Sequence, residues 1–411
     1  MISTARHIEA EILIVGGGMI GLSLAVALGG AGLRVVVVDR EDPSRHVDDA
    51  FDGRSSAIAW GSRQALAGIG LWPLLEAEAQ PILDIRVSDG HVGRRPSGLF
   101  LHYDHHEVGR PFGHIVENRV IRRALLALVG RLPEVTHLAP AGLGRIERQA
   151  ARVRATLADG RDISAELVIA ADGRESALRT ETGIRVARWN YPQTSIAATV
   201  EHDEPHHGVA HEHFLPSGPF AMLPMTGNRS SIVWTERSDL AKAILDLDDE
   251  EFSAEIERRF GSTLGHIRIL GRRWAYPLSC LLAERFIDSR LALVGDAAHA
   301  IHPLAGQGVN LGFLDCAALV EVLARELASG ADPAALAELR VLRRYERWRK
   351  SENLIALGLV DGLNRLFSTS DEFLGWIRRT GLGAVDRSAL AKRFFMGRAM
   401  GTSGELPERA R

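Results

Sequence analysis

EILIVGGGMIGLSLAVALGGAGLRVVVVDR, residues 11–40, reads as strand, glycine turn, helix, strand and acid, in that order. Ile12–Val15 and Val35–Val38 are short unbroken apolar runs, the signature of strands buried on both faces. Gly16, Gly18 and Gly21 between them fit G-x-G-x-x-G. The first glycine permits the tight turn, the second lets backbone approach a pyrophosphate, and the third lets the helix pack on the strand. A helix starting near Met19 aims its free amides at that diphosphate. Asp39 ends the second strand, where a carboxylate accepts hydrogen bonds from an adenosine ribose. The cradle alone fits FAD or NAD.

The chain has 411 residues, enough for two or three domains. Hydrophobic residues make up 46% and charged residues 25%, ordinary values for a globular protein. A net charge of -3 provides no field for nucleic acid, although the bases are nearly all arginine. Cys280 and Cys316 belong to no ligand pattern and read as core residues of a reducing compartment. Ile12–Leu33 carries no charge, but its seven glycines argue against a spanning helix. With no signal peptide evident at the start, the expectation is a cytoplasmic protein with peripheral membrane contact.

Two later stretches repeat the strand-then-acid pattern. AELVIAADGRESALR (165–179) runs from strand Leu167–Ala170 into Asp172-Gly173, and RLALVGDAAHAIHP (290–303) from strand Leu291–Val294 into Gly295-Asp296. Each puts an aspartate at the carboxyl end of a strand, where open α/β sheets bind ligands, and where it can take ribityl hydroxyls. Beyond Pro303, Gly306-Gln307-Gly308 opens another helix; bare backbone there can lie against a flat ring, and the helix dipole suits a negative flavin edge. No metal site is expected: His299 and His302 would need a helix to converge, which Pro303 disfavours, and His211/His213 lack a third ligand.

Together these motifs resemble the class A flavoprotein monooxygenases typified by para-hydroxybenzoate hydroxylase. FDGRSSAIAWGSRQALAGIGLW (51–72) looks like that group's D-x-R-x-x-A segment. GPFAMLP (218–224), YPLS (276–279), GDAAHAIHPLAGQGVNLG (295–312), YERWRKSENLIALGLVDGLNRLF (345–367) and FFMGRAMGTSGELP (394–407) look like the ubiquinone-biosynthesis hydroxylases. Ala171 and Asp39 depart from the usual glycine and glutamate. The resemblance implies that Gly16, Gly18 and Gly21 hold the pyrophosphate of FAD, and Asp39, with Arg40 beside it, the adenosine ribose. It implies that Arg54 and either Asn118 or Arg119 meet the cofactor's mid-section. Asp172 and Gly173 would support binding, Gly295 and Asp296 the ribityl region, and Gly306, Gln307, Gly308, Val309 and Asn310 the isoalloxazine. Pro303, Gly306, Gln307 and Gly308 are the candidates for the catalytic surface.

The expected fold is α/β: a Rossmann-like FAD-binding domain (1–80, 110–183 and 285–345) interleaved with an antiparallel β-sheet substrate domain (81–109 and 184–284), then a C-terminal helical region (346–411). DDEEFSAEIERRFG (248–261) reads as an amphipathic helix on the sheet domain's edge. Phe220, Met222 and Leu223 are candidate walls of the substrate site. Phe373, Leu374 and Trp376 near Arg378 and Arg379, and Phe394, Phe395 and Met396 beside Arg393 and Arg398, are a candidate face for a membrane or for other quinone-biosynthesis proteins.

The implied reaction is aromatic-ring hydroxylation of a polyprenylated phenol with O2, through a flavin C4a-hydroperoxide. NAD(P)H and a separate reductase both stay open as electron donor. A flavin-dependent reductase or dehydrogenase of a prenylated substrate, or a non-catalytic FAD-binding component of a biosynthetic complex, are the alternatives.

Overall fold

The computed structural model describes residues 7–47, 52–90, 92–93, 100–302, 306–367 and 388–410. Pro303 and the apolar residues at 373–376 fall outside them.

The first layer is a six-stranded sheet ordered Ile287–Asp288, Leu291–Leu293, Leu167–Ala170, Ile12–Val15, Val35–Val38 and Val135–Leu138. All its pairings are parallel except that of the two-residue edge strand with Leu291–Leu293. Every residue of the Ile12–Val15, Val35–Val38 and Leu167–Ala170 strands is buried, which is why these runs are apolar without alternation. The Met19–Gly29 and Asn118–Val129 helices pack on this sheet and on each other. Parallel strands point the same way, so Gly16, Asp39, Asp172 and Gly295 all emerge at one edge.

The second layer is an eight-stranded sheet. Its order is His299–Ala300, Ile267–Ala283, Val186–His202, Arg229–Arg237, Gly218–Met225, Val209–Leu215, Asp84–Asp89, Phe100–Asp104. It is antiparallel apart from one parallel pairing, Val209–Leu215 with Asp84–Asp89. The parallel pair arises because the long insertion between those strands brings the chain back in the same direction. One face is covered by the Asp249–Phe260 helix, which opens with a capping box between Asp248 and Glu251. The other faces the Gln307–Ala328 and Leu339–Phe367 helices. Two smaller sheets, neither anticipated from the sequence, complete the body. One joins His7–Glu9 to the 143–165 hairpins, and the other joins Ser55–Ala59, Gly113–Glu117 and Gln80–Ile82.

Candidate functional site

The Ile12–Val15 strand delivers Gly16 into a left-handed turn, φ 108°. A β-carbon there would lie 2.3 Å from the carbonyl oxygen of Ala171, and one on Gly21 would lie 1.9 Å from that of Gly16. Close packing therefore requires both glycines. Gly18 differs: no atom lies within 4 Å of its missing β-carbon, although it caps the Met19–Gly29 helix. The first amides of that helix have no partner within the helix.

Asp39 closes one side of this space, its carboxylate accepting hydrogen bonds from the amides of Gly17 at 2.6 Å and Glu41 at 2.9 Å. Arg40 beside it is exposed. Arg122 and His137 line the same recess as Gly17, Gly18 and Asp39. Arg122 Nε and His137 Nε2 are buried with no hydrogen-bond partner among the described residues. Burial lowers both pKa values; the neighbouring Arg54 lowers that of Arg122 further, while Asp39 opposes the fall at His137. The sequence reading missed both. Arg122 lies four residues on from Asn118, on the same helix face, but neither it nor His137 had a signal of its own.

The pairing of Ser55–Ala59 with Gly113–Glu117 brings Arg54 and Asn118 together. The Asn118 amide donates to the Arg54 carbonyl at 3.0 Å, and Asn118 Oδ1 accepts from the Ser56 hydroxyl at 2.6 Å. Arg54 is paired with Asp52 at 2.7 Å and lies over the Trp274 ring, 4.6 Å from its centre.

At the third strand tip, Gly173 is left-handed (φ 83°) and one oxygen of Asp172 is buried without a partner. At the fourth, Gly295 is left-handed (φ 57°) and its amide donates to Asp315 at 3.1 Å. Asp296 stays about half exposed toward the cleft, 3.9 Å from Arg174. Protein crowds its other sides, and this burial raises its pKa against the pull of Arg174 and His299. His299 Nε2 lies 2.5 Å from Asp315 Oδ2, and the His302 ring stands edge-on to Tyr191 at 5.2 Å. His299 sits in a two-residue strand and not on a helix.

Gly306 is left-handed (φ 63°), and its missing β-carbon points at Ala57, 3.1 Å away. That of Gly308 meets nothing within 4 Å. Gln307 donates to the Ala399 carbonyl at 3.2 Å, and Val309 is half-buried against the main core. The Asn310 side chain is buried and committed to the Ala59 amide and the Ala57 and Gly306 carbonyls. Any contribution of Asn310 to a ligand therefore comes from its backbone. Open space at Gly18 and Gly308, an unpaired buried donor at Arg122, an unpaired ring nitrogen at His137 and an orphaned Asp172 oxygen fit an extended dinucleotide whose flat end meets the Gly306–Gly308 turn.

Beside that turn lies a cavity of about 420 Å³. Leu101, Tyr103 and Phe214 of the large sheet, Leu311 of the Gln307 helix, and Leu363 and Phe395 of the C-terminal helices line it. Two of the expected wall residues do not reach this cavity. Phe220 and Met222 face the other side of the sheet, in the core with Trp234 and Phe252. Strand alternation separates them from Leu223, which packs on the cavity side.

The FAD binding domain family model matches residues 9–350. Ubiquinone hydroxylase UbiL of Rhodospirillum rubrum is 51% identical over 97% of this chain and 91% of its own length. The 3-demethoxyubiquinol 3-hydroxylase of Escherichia coli is 35% identical over 95% and 98%. Among solved structures, p-nitrophenol 4-monooxygenase PnpA of Pseudomonas putida superposes with a TM-score of 0.79 at 21% identity, covering 98% of this chain and all of the other, and supports the fold. The chain therefore binds FAD and belongs to the ubiquinone-biosynthesis hydroxylases, a family of FAD-dependent monooxygenases.

Proposed function

We infer that this FAD-dependent hydroxylase oxidises the ring of a polyprenylated phenol in ubiquinone biosynthesis, with O2 as co-substrate and NAD(P)H as electron donor. The observation that carries this reading is the cavity: apolar, about 420 Å³, and continuous from Gln307 to the C-terminal helices, it suits a ring beside the flavin turn and an apolar tail leading away.

Bound FAD supplies the electron transfer and oxygen activation. The chain supplies binding, orientation and dryness. Gly16, Gly18 and Gly21 admit the diphosphate, with Arg122 facing its charge; Asp39 and His137, with Arg40 alongside, take the adenosine end. Arg54 and Asn118 meet the mid-section, Asp172, Gly173, Gly295 and Asp296 the ribityl side, and Gly306 to Asn310 the ring. Gly306, Gln307 and Gly308 form the catalytic surface. Apolar side chains around the cavity keep water from the reacting oxygen. The FAD-binding, sheet and C-terminal helical units take the bounds read from the sequence.

Among the described residues no helix is long and apolar enough to cross a membrane. Leu354, Ile355, Leu390 and Phe394 are exposed on the C-terminal helices, which supports docking of this face on a lipid surface. Deleting the gene and identifying the accumulated precursor by mass tests the substrate. A prenylated phenol lacking one ring hydroxyl is expected; unchanged quinone levels would contradict the reading.

A further inference from the structure

The Val209–Leu215 strand carries a group that the chemistry above does not use. His211 and His213 project toward the Asp249–Phe260 helix, their rings edge-on to Phe260 at 5.1 and 5.7 Å. Ala210 and Phe214 project to the opposite face, into the apolar cluster of Leu101, Tyr103 and Leu311. Glu212 lies between them on that second face, and it lines the cavity together with Tyr103, Phe214 and Gln307.

Among the described residues Glu212 has no ion-pair or hydrogen-bond partner. Arg86 and His102 on the neighbouring strands lie in register with His211, on the far face. The other charged groups lining the cavity come from the C-terminal segments. Of these, Arg349 is held by Asp315 at 2.7 Å and Arg398 by Glu352 at 2.8 Å, while Glu405 carries the same sign as Glu212. A carboxyl turned into an apolar cavity without a protein partner is poorly placed for stability, and is well placed to meet a donor brought by a ligand.

We propose that Glu212 accepts the phenolic proton of the substrate in this cavity. The phenol O–H bond breaks, a new O–H bond forms on the Glu212 carboxylate, and the electron pair stays on the ring oxygen. That pair enriches the ring carbons ortho and para to it, the positions open to oxidation. The proton returns to the product oxygen or to solvent on release. This assignment rests on the phenol reading given above. Burial pushes the Glu212 carboxyl up to about 7, a value suited to a base working near neutrality.

The test compares the wild-type holoenzyme with Glu212→Gln, which keeps the shape, and Glu212→Asp, which keeps the acid. Turnover is followed on a 2-prenylphenol, whose hydroxyl ionises at about 10 like an ordinary phenol's, and binding on a 4-nitrophenol bearing a short prenyl chain, the probe, whose phenolate absorbs in the visible. For the wild type, kcat/KM should rise through a midpoint near 7 as Glu212 ionises. Glu212→Gln should lose that limb and fall by about 10²- to 10⁴-fold, with Glu212→Asp recovering part of the rate and the limb. Independently of turnover, the bound probe should ionise at lower pH in Glu212→Gln, because a neighbouring carboxylate disfavours the phenolate. FAD content and thermal midpoint report folding. A wild type that binds the probe and hydroxylates the prenylphenol, with the same pH profile and probe midpoint in Glu212→Gln, overturns the Glu212 assignment alone. A wild type that does not bind the probe, or binds it and does not hydroxylate the prenylphenol, overturns the phenol reading, and this assignment with it.

Discussion

Asp315, on the Gln307–Ala328 helix, is fully buried, and its carboxylate accepts from Arg349 Nε at 2.7 Å across the helix interface. Its second oxygen lies 2.5 Å from His299 Nε2 and 3.1 Å from the Gly295 amide. One acid thus joins the strand tip that carries Asp296 to the helix that begins at the flavin turn and to the long C-terminal helix. Burial would raise its pKa, but His299 and Arg349 outweigh it and hold the carboxyl at about 2.

Replacing Asp315 with Asn should cost about 3–5 kcal/mol, because the Arg349 charge is left buried without its counter-ion. Denaturant unfolding measures this. The native carboxyl is depressed below its ordinary value of 3.8, so its contribution is complete above that pH and fades as pH falls toward 2. The Asn variant should lack that part of the acid sensitivity. A variant as stable as the wild type would show that the network holds nothing together.

Gly18 and Gly21 should separate binding from folding. An alanine at Gly21 drives a methyl into the Gly16 carbonyl and should lower the thermal midpoint even without flavin. An alanine at Gly18 meets only open space, so the apoprotein should keep its stability while FAD retention falls. Equal losses of both properties in both variants would refute this division.

Arg122→Met should weaken FAD binding by about 10- to 100-fold, the worth of one charge-assisted hydrogen bond. The apoprotein should be unchanged or more stable, since a buried guanidinium Nε without a partner is removed. Flavin titration of the apoprotein decides; unaltered affinity would place Arg122 outside the cofactor site.

The parallel layer was legible because strands buried on both faces must be apolar and because glycines mark where backbone is approached. Ile12–Val15, Val35–Val38 and Leu167–Ala170 fall where those rules put them. The eight-stranded sheet was legible as alternating segments, but the facing of Phe220 and Met222 was not. A run such as GPFAMLP is apolar on both sides, and only tertiary packing sorts its faces. Arg122, His137 and Glu212 carry no motif, so their importance comes from what surrounds them. Asp315 lay unmarked within an apolar helix, and its partners lie between 16 and 38 residues away.

Acid should loosen the large sheet through His211 and His213. Burial lowers the His211 pKa to about 3, helped by His213 and Arg86, and that of His213 to about 4. Neutral rings are favoured in the fold, so their contribution is complete above the ordinary value of 6.5 and is lost as pH falls below it. His211→Leu should reduce the loss of stability between pH 7 and pH 5 by about 2 kcal/mol. An unchanged gap in denaturation midpoints would contradict this.

Oxygen insertion at a flavin held by the converging strand tips is the reaction that this fold is expected to perform. Purified holoenzyme, reduced and given a polyprenylated phenol under isotopically labelled dioxygen, tests this most directly through the mass of the product. The prediction is a gain of one labelled oxygen atom on the ring. A product that gains two hydrogens and no label would contradict it.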